Sequence, residues 1–137
     1  MLRYLAAYAA AAIVFVAMDF CWLSFATNRI YRPAMGDMLA AKVALAPGAI
    51  FYLLYLGGVL VLAVAPALKA GSYGRVALSA AVLGLVAYGT YDPTNQATLR
   101  NWSTSLTLVD MGWGVIVTTV AALAGFWAAR MVGGKLA

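Results

Sequence analysis

The chain has 137 residues, 66% of them hydrophobic and 9% charged, with a formal net charge of +5. That much apolar surface cannot be hidden inside a domain so small, because small folds leave a large share of their area exposed, and lipid is the implied solvent. The absence of histidine and the single cysteine, Cys21, exclude disulfide frameworks, zinc sites and histidine-ligated haem, so no metal or cofactor is expected, and nine basic residues scattered singly exclude a nucleic-acid surface.

The first predicted span, Tyr4 to Ala26, holds one charge, Asp19, and at 1.5 Å per residue is long enough to cross a hydrocarbon core of about 30 Å. Arg3 and the alanines after it resemble a signal peptide, but the apolar run outlasts an h-region of roughly 7–15 residues, which favours a retained span. Between Asn28 and Leu45, the spacing of Met35, Met38, Leu39 and Val43 predicts a short helix lying in the membrane interface. The second span runs from Pro47 to Leu68, opened by a proline whose missing N–H costs a helix start nothing. The third covers Val76 to Tyr91 and meets Asp92-Pro93; the fourth covers Leu106 to Ala129. The expected fold is an all-α integral membrane protein, one domain over residues 1–137 forming a four-helix bundle with short connections.

Lysine and arginine near the span ends set orientation. With the N-terminus inside, Arg3, Lys69, Arg75, Arg130 and Lys135 lie on the inner side against Arg29, Arg32, Lys42 and Arg100 outside, a five-to-four vote for both termini in the cytoplasm.

Counting along the spans puts all four aspartates, Asp19, Asp37, Asp92 and Asp110, in one half of the membrane, together with Tyr31, Tyr88, Tyr91, Thr94, Asn95 and Thr98. Ionisable groups within spans are expensive and usually face a bundle interior or a wet cavity. Asp19/Trp22 and Asp110/Trp113 share a spacing of three, which sets each pair on one helix face. Spans one and four run antiparallel, so if they are neighbours Trp113 reaches the depth of Asp19 and Trp22 that of Asp110, each indole N–H finding a carboxyl acceptor. Taken alone, these pairs read as interhelical clamps ahead of catalysis.

In Tyr88-Gly-Thr-Tyr-Asp-Pro-Thr-Asn95, Asp92-Pro93 admits two readings: a helix that breaks below the surface and restarts, as at transporter ligand sites, or a plain end of span three followed by a loop. Gly114, Thr118, Ala121 and Gly125 form a small-residue stripe that lets another backbone approach. Tyr4, Tyr8 and Trp127 fit an aromatic belt at one surface; Tyr52, Tyr55 and Trp102 fit one at the other.

Asp19-x-x-Trp22-Leu23, Tyr31, the Tyr88-to-Asn95 segment with Thr98-Leu99, and Asp110-x-x-Trp113-Gly114 together resemble a family of small bacterial inner-membrane proteins of unknown function, across essentially the whole chain. Pro93 departs from the aliphatic residue frequent at its position in relatives. The resemblance implies four spans and a bacterial inner membrane. It also implies a lipid-related role, since members often lie beside genes for fatty-acid-modifying enzymes.

Three functions are consistent with these residues. The first is a site for a membrane lipid or other amphiphile near the outer leaflet, with Asp19, Asp92 and Asp110 as anchoring or acid/base groups, Tyr88, Tyr91, Thr94 and Asn95 orienting a polar head, and Trp22 and Trp113 walling a tail. No nucleophile–base pair is legible, so the enzyme question stays open. The second is an accessory or scaffold subunit of a larger membrane complex; the third is a proton-coupled carrier acting as a homo-oligomer.

Overall fold

The computed structural model describes residues 1–134; Lys135, counted above among the inner cations, lies outside the described residues. Four helical rods follow one another: α1 (Leu2–Met38), α2 (Leu45–Ala70), α3 (Tyr73–Thr98) and α4 (Thr104–Gly134). The rods α1, α2 and α4 are each long and apolar enough to cross a membrane. The C-terminal third of α3, from Thr90 to Thr98, is almost wholly polar.

The rods end where the sequence supplies stop signals. Gly71, in the left-handed region at φ 64°, closes α2, and the Ser72 hydroxyl then accepts the Arg75 N–H at 3.2 Å to start α3. Asn101 takes the turn before α4 at φ 62°, a conformation asparagine tolerates, and the Ser103 hydroxyl caps α4 by accepting the Leu106 N–H at 3.1 Å.

Two departures from sequence expectation bear on the site. No separate surface helix forms between the first two rods: residues 27–38 continue α1 through a π-helical turn, Thr27–Tyr31, and Leu39 to Ala44 carry no helical turn. Nor does the chain break or end at Asp92-Pro93, because α3 runs unbroken to Thr98 with Pro93 inside it. Pro93 cannot donate to the Gly89 carbonyl, while Thr94 Oγ1 donates to Thr90 O and to Tyr91 O and Thr98 Oγ1 donates to Thr94 O. These bonds tie the two threonine hydroxyls to carbonyls of their own helix and do not reach the Gly89 carbonyl.

α4 is the middle of the assembly. It buries residues on more than one face, from Leu106 through Gly114, Val117 and Thr118 to Ala129, and both α1 and α3 pack on it. The small-residue stripe makes these approaches possible: a Cβ on Gly125 would lie 2.7 Å from the Ala7 carbonyl oxygen of α1, and a Cβ on Gly84 of α3 would collide with the Gly114 backbone. α2 lies across the remaining side, and its C-terminal half closes the core with Val59, Ala63, Val64 and Ala67 against Val76, Ala80, Ala122 and Phe126. A second cluster, Ala11, Phe15, Leu56, Val117 and Ala121, fills mid-depth. Beyond it, at the end bearing the α1–α2 and α3–α4 connections, apolar filling gives way to polar and aromatic groups.

Candidate functional site

Asp19 and Asp110 sit at this end, each 8% exposed. Asp19 accepts two hydrogen bonds: the Trp113 indole N–H donates to Oδ1 at 3.2 Å, and the Tyr52 hydroxyl donates to Oδ2. Asp110 Oδ1 accepts from the Tyr31 hydroxyl, which itself accepts the Trp22 indole N–H at 3.0 Å. The two indoles stack, ring centroids 4.7 Å apart and planes 10° from parallel. Antiparallel depth-counting therefore places Trp113 on Asp19 directly and brings Trp22 to Asp110 through one phenol. Every donor to these two carboxyl groups is a neutral O–H or N–H. Interhelical bonds of this sort contribute only about 0.6 kcal/mol each on average in measured membrane proteins, so the cluster is a modest source of stability.

The π-turn puts Tyr31 in this chain. In an unbroken α-helix, residues nine apart lie on opposite faces, so Tyr31 would point away from Trp22. One inserted residue turns everything after it by about 100° and brings the phenol round to Trp22 and Asp110.

Between these groups lies a cleft of about 310 Å³. Asp110 and Trp113 of α4 form its floor, Asp19, Leu23 and Tyr31 one wall, Phe51 and Tyr55 the second, and Ala87, Tyr88 and Tyr91 the third. It exists because α1 and α3 pack on α4 and not extensively on each other. Of the residues singled out from sequence, Asp19, Tyr31, Tyr88, Tyr91, Asp110 and Trp113 meet here. Trp22 stands behind Tyr31 and lines a neighbouring apolar hollow with Met18 and Cys21. Thr94 and Thr98 are exposed and bond within their own helix, and Asn95 is half-buried outside the cleft.

Asp92 is a separate case. It is fully buried, and neither carboxyl oxygen has a hydrogen-bond partner among the described residues. Gly84 against Gly114 and Gly89 against Met111 fix the α3–α4 register, which one turn further sets Asp92 opposite Thr107 and Asp110. Thr107, also buried, accepts the Trp102 indole N–H at 3.0 Å.

A family model described as a predicted membrane protein, DUF2177, matches residues 4–127. The chain belongs to that family. No curated protein and no solved structure matches it. Membership in DUF2177, with several helices apolar enough to span, makes this a multi-pass membrane protein.

Sequence reasoning missed Tyr52, Tyr55 and Phe51 as parts of the DUF2177 member's site. Tyr52 and Tyr55 were expected in an aromatic belt; instead Tyr52 donates to Asp19, and the Tyr55 hydroxyl lies 2.7 Å from Thr118 Oγ1. The available signal was their spacing of three, which sets both on one face with Leu56 and Val59 following in the core.

Proposed function

We propose that this protein is a four-span inner-membrane protein, both termini cytoplasmic, that binds an amphiphile in the cleft, head group among the aspartates and apolar body along the aromatic walls. The observation that carries the proposal is the cleft itself: about 310 Å³, bounded by all four helices, aromatic on its walls and carrying Asp19 and Asp110. α3 serves as the fourth span, its apolar part inside the membrane and its polar end, Thr90 to Thr98, at the surface. Tyr31, Tyr55, Tyr88, Tyr91 and the two acids are the lining groups that bear on a reaction, and no serine, cysteine or lysine lines the cleft among the described residues, so binding is favoured over catalysis. The accessory-subunit reading rests on the small-residue stripe and on the lack of a catalytic dyad; of that stripe, Gly114 and Gly125 are spent inside the bundle against α3 and α1.

Filling the cleft tests the proposal. Ala87 lines it, and Ala87→Phe adds a ring there without touching the carboxyl groups. Mass spectrometry of protein purified in a mild detergent should find a retained amphiphile in the native chain, reduced about tenfold or more in Ala87→Phe, with unfolding behaviour unchanged. Equal retention in the two proteins, or none in either, overturns the reading.

A further inference from the structure

Resting on the amphiphile reading, we infer that the head group this cleft selects is an organic ammonium. The cleft is lined by six aromatic rings, Tyr31, Phe51, Tyr55, Tyr88, Tyr91 and Trp113, around two carboxyl groups, and no lysine or arginine lines it among the described residues. Aromatic faces and carboxylates both attract cations, and this pairing is the chemistry by which proteins hold ammonium groups.

The hydrogen-bond inventory points the same way. Asp19 has a donor on each oxygen, whereas Asp110 receives one bond, at Oδ1 from Tyr31, leaving Oδ2 as an open acceptor at the cleft floor among the described residues. The Tyr88 hydroxyl, on the facing wall, likewise has no protein partner among them. An ammonium N–H answers Oδ2 and the phenol oxygen together. Behind Asp110, across the α3–α4 packing, fully buried Asp92 adds a third acid with both oxygens unpartnered and no basic group in the lining to offset it. Burial alone disfavours an ionised acid, so a cationic head is the partner beside which Asp110 binds as a carboxylate. Phosphate and carboxylate heads meet repulsion from the same acids. A zwitterionic ethanolamine lipid brings a phosphate for which the cleft offers no cation among the described residues, so the head group is a singly charged amine.

Calorimetric titration of the full-length protein in maltoside micelles, with protein-free micelles as blank, compares three probes of equal chain length: decylammonium, decanol and decanoate. Decylammonium should bind about tenfold tighter than decanol, with decanoate weakest, and Asp110→Asn should bring the amine to within about threefold of the alcohol. Adding an ethanolamine phospholipid to the micelles should leave the decylammonium affinity unchanged; competition reassigns the head group to the lipid and overturns the commitment to a free amine. Equal binding of amine and alcohol to the native protein, or a preference that survives Asp110→Asn, overturns the ammonium inference and leaves the cleft as a binding site. Saturable binding of none of the three removes the amphiphile reading itself. If Asp110→Asn fails to elute as a folded species, Tyr88→Phe, which removes the other open acceptor, should narrow the same amine-to-alcohol ratio, and an unchanged ratio overturns the inference.

Discussion

Adding the same methyl group at two glycines of α4 should move stability in opposite directions. Nothing lies within 4 Å of a Cβ built on Gly112, so Gly112→Ala only removes backbone freedom from the unfolded chain and should stabilise the fold by about 0.5–1 kcal/mol. A Cβ on Gly125 would lie 2.7 Å from the Ala7 carbonyl oxygen and 3.2 Å from the Ala11 Cβ, where ordinary contact begins near 3.4 Å. Both neighbours are held by the α1 helix, so neither can rotate away, and α1 must retreat by roughly 0.7 Å, loosening the contacts of Ala7, Ala11 and Phe15 along its length. Overpacking of this kind costs about 1–3 kcal/mol. The backbone gain is common to both, so the two variants should differ by the steric term, about 1–3 kcal/mol. Equilibrium unfolding in mixed maltoside and dodecyl sulfate micelles, followed by circular dichroism, measures both. Shifts of the same sign, or a difference below about 0.5 kcal/mol, refute the claim that the α1–α4 packing depends on a missing side chain at Gly125.

The same unfolding assay reads two further changes. Trp113→Phe keeps a ring against Trp22 but removes the N–H donor to Asp19 Oδ1, and should cost about 1 kcal/mol, a cost that falls by at least half in an Asp19→Ala background, which has no acceptor there. Pro93→Ala restores an N–H for the Gly89 carbonyl within α3 and should stabilise by about 1 kcal/mol while leaving cleft binding untouched, whereas a loss of binding would assign the proline a role in the site.

Much of this arrangement was legible because membrane helices keep simple rules of depth. Asp19 and Trp113 could be paired by counting residues from opposite surfaces, since two antiparallel rods of regular rise leave little freedom in register. The small-residue stripe was readable for the same reason, close packing in lipid being available only where side chains are short. What escaped were features at which regular rise fails or side-chain direction decides. The π-turn at Thr27–Tyr31 turns Tyr31 by roughly one residue's rotation, and no composition signal marks it. Pro93 reads as a stop in water, yet in this setting the helix continues with hydroxyl groups of Thr94 and Thr98 bonded to its backbone. Tyr52 and Tyr55 have the composition of surface anchors, and only the placement of α2 across Asp19 and Thr118 turns their hydroxyls inward.

Because α4 is the piece against which α1 and α3 both rest, and the ribosome makes it after the other three, assembly of this molecule has a built-in waiting period. Until residue 104 and beyond have been synthesised, Asp19 has no indole to receive and Tyr31 no carboxylate to reach. The first three rods must therefore be tolerated by the insertion machinery as loosely associated, partly unsatisfied intermediates, and a nascent chain stalled before α4 would present those acids to quality control.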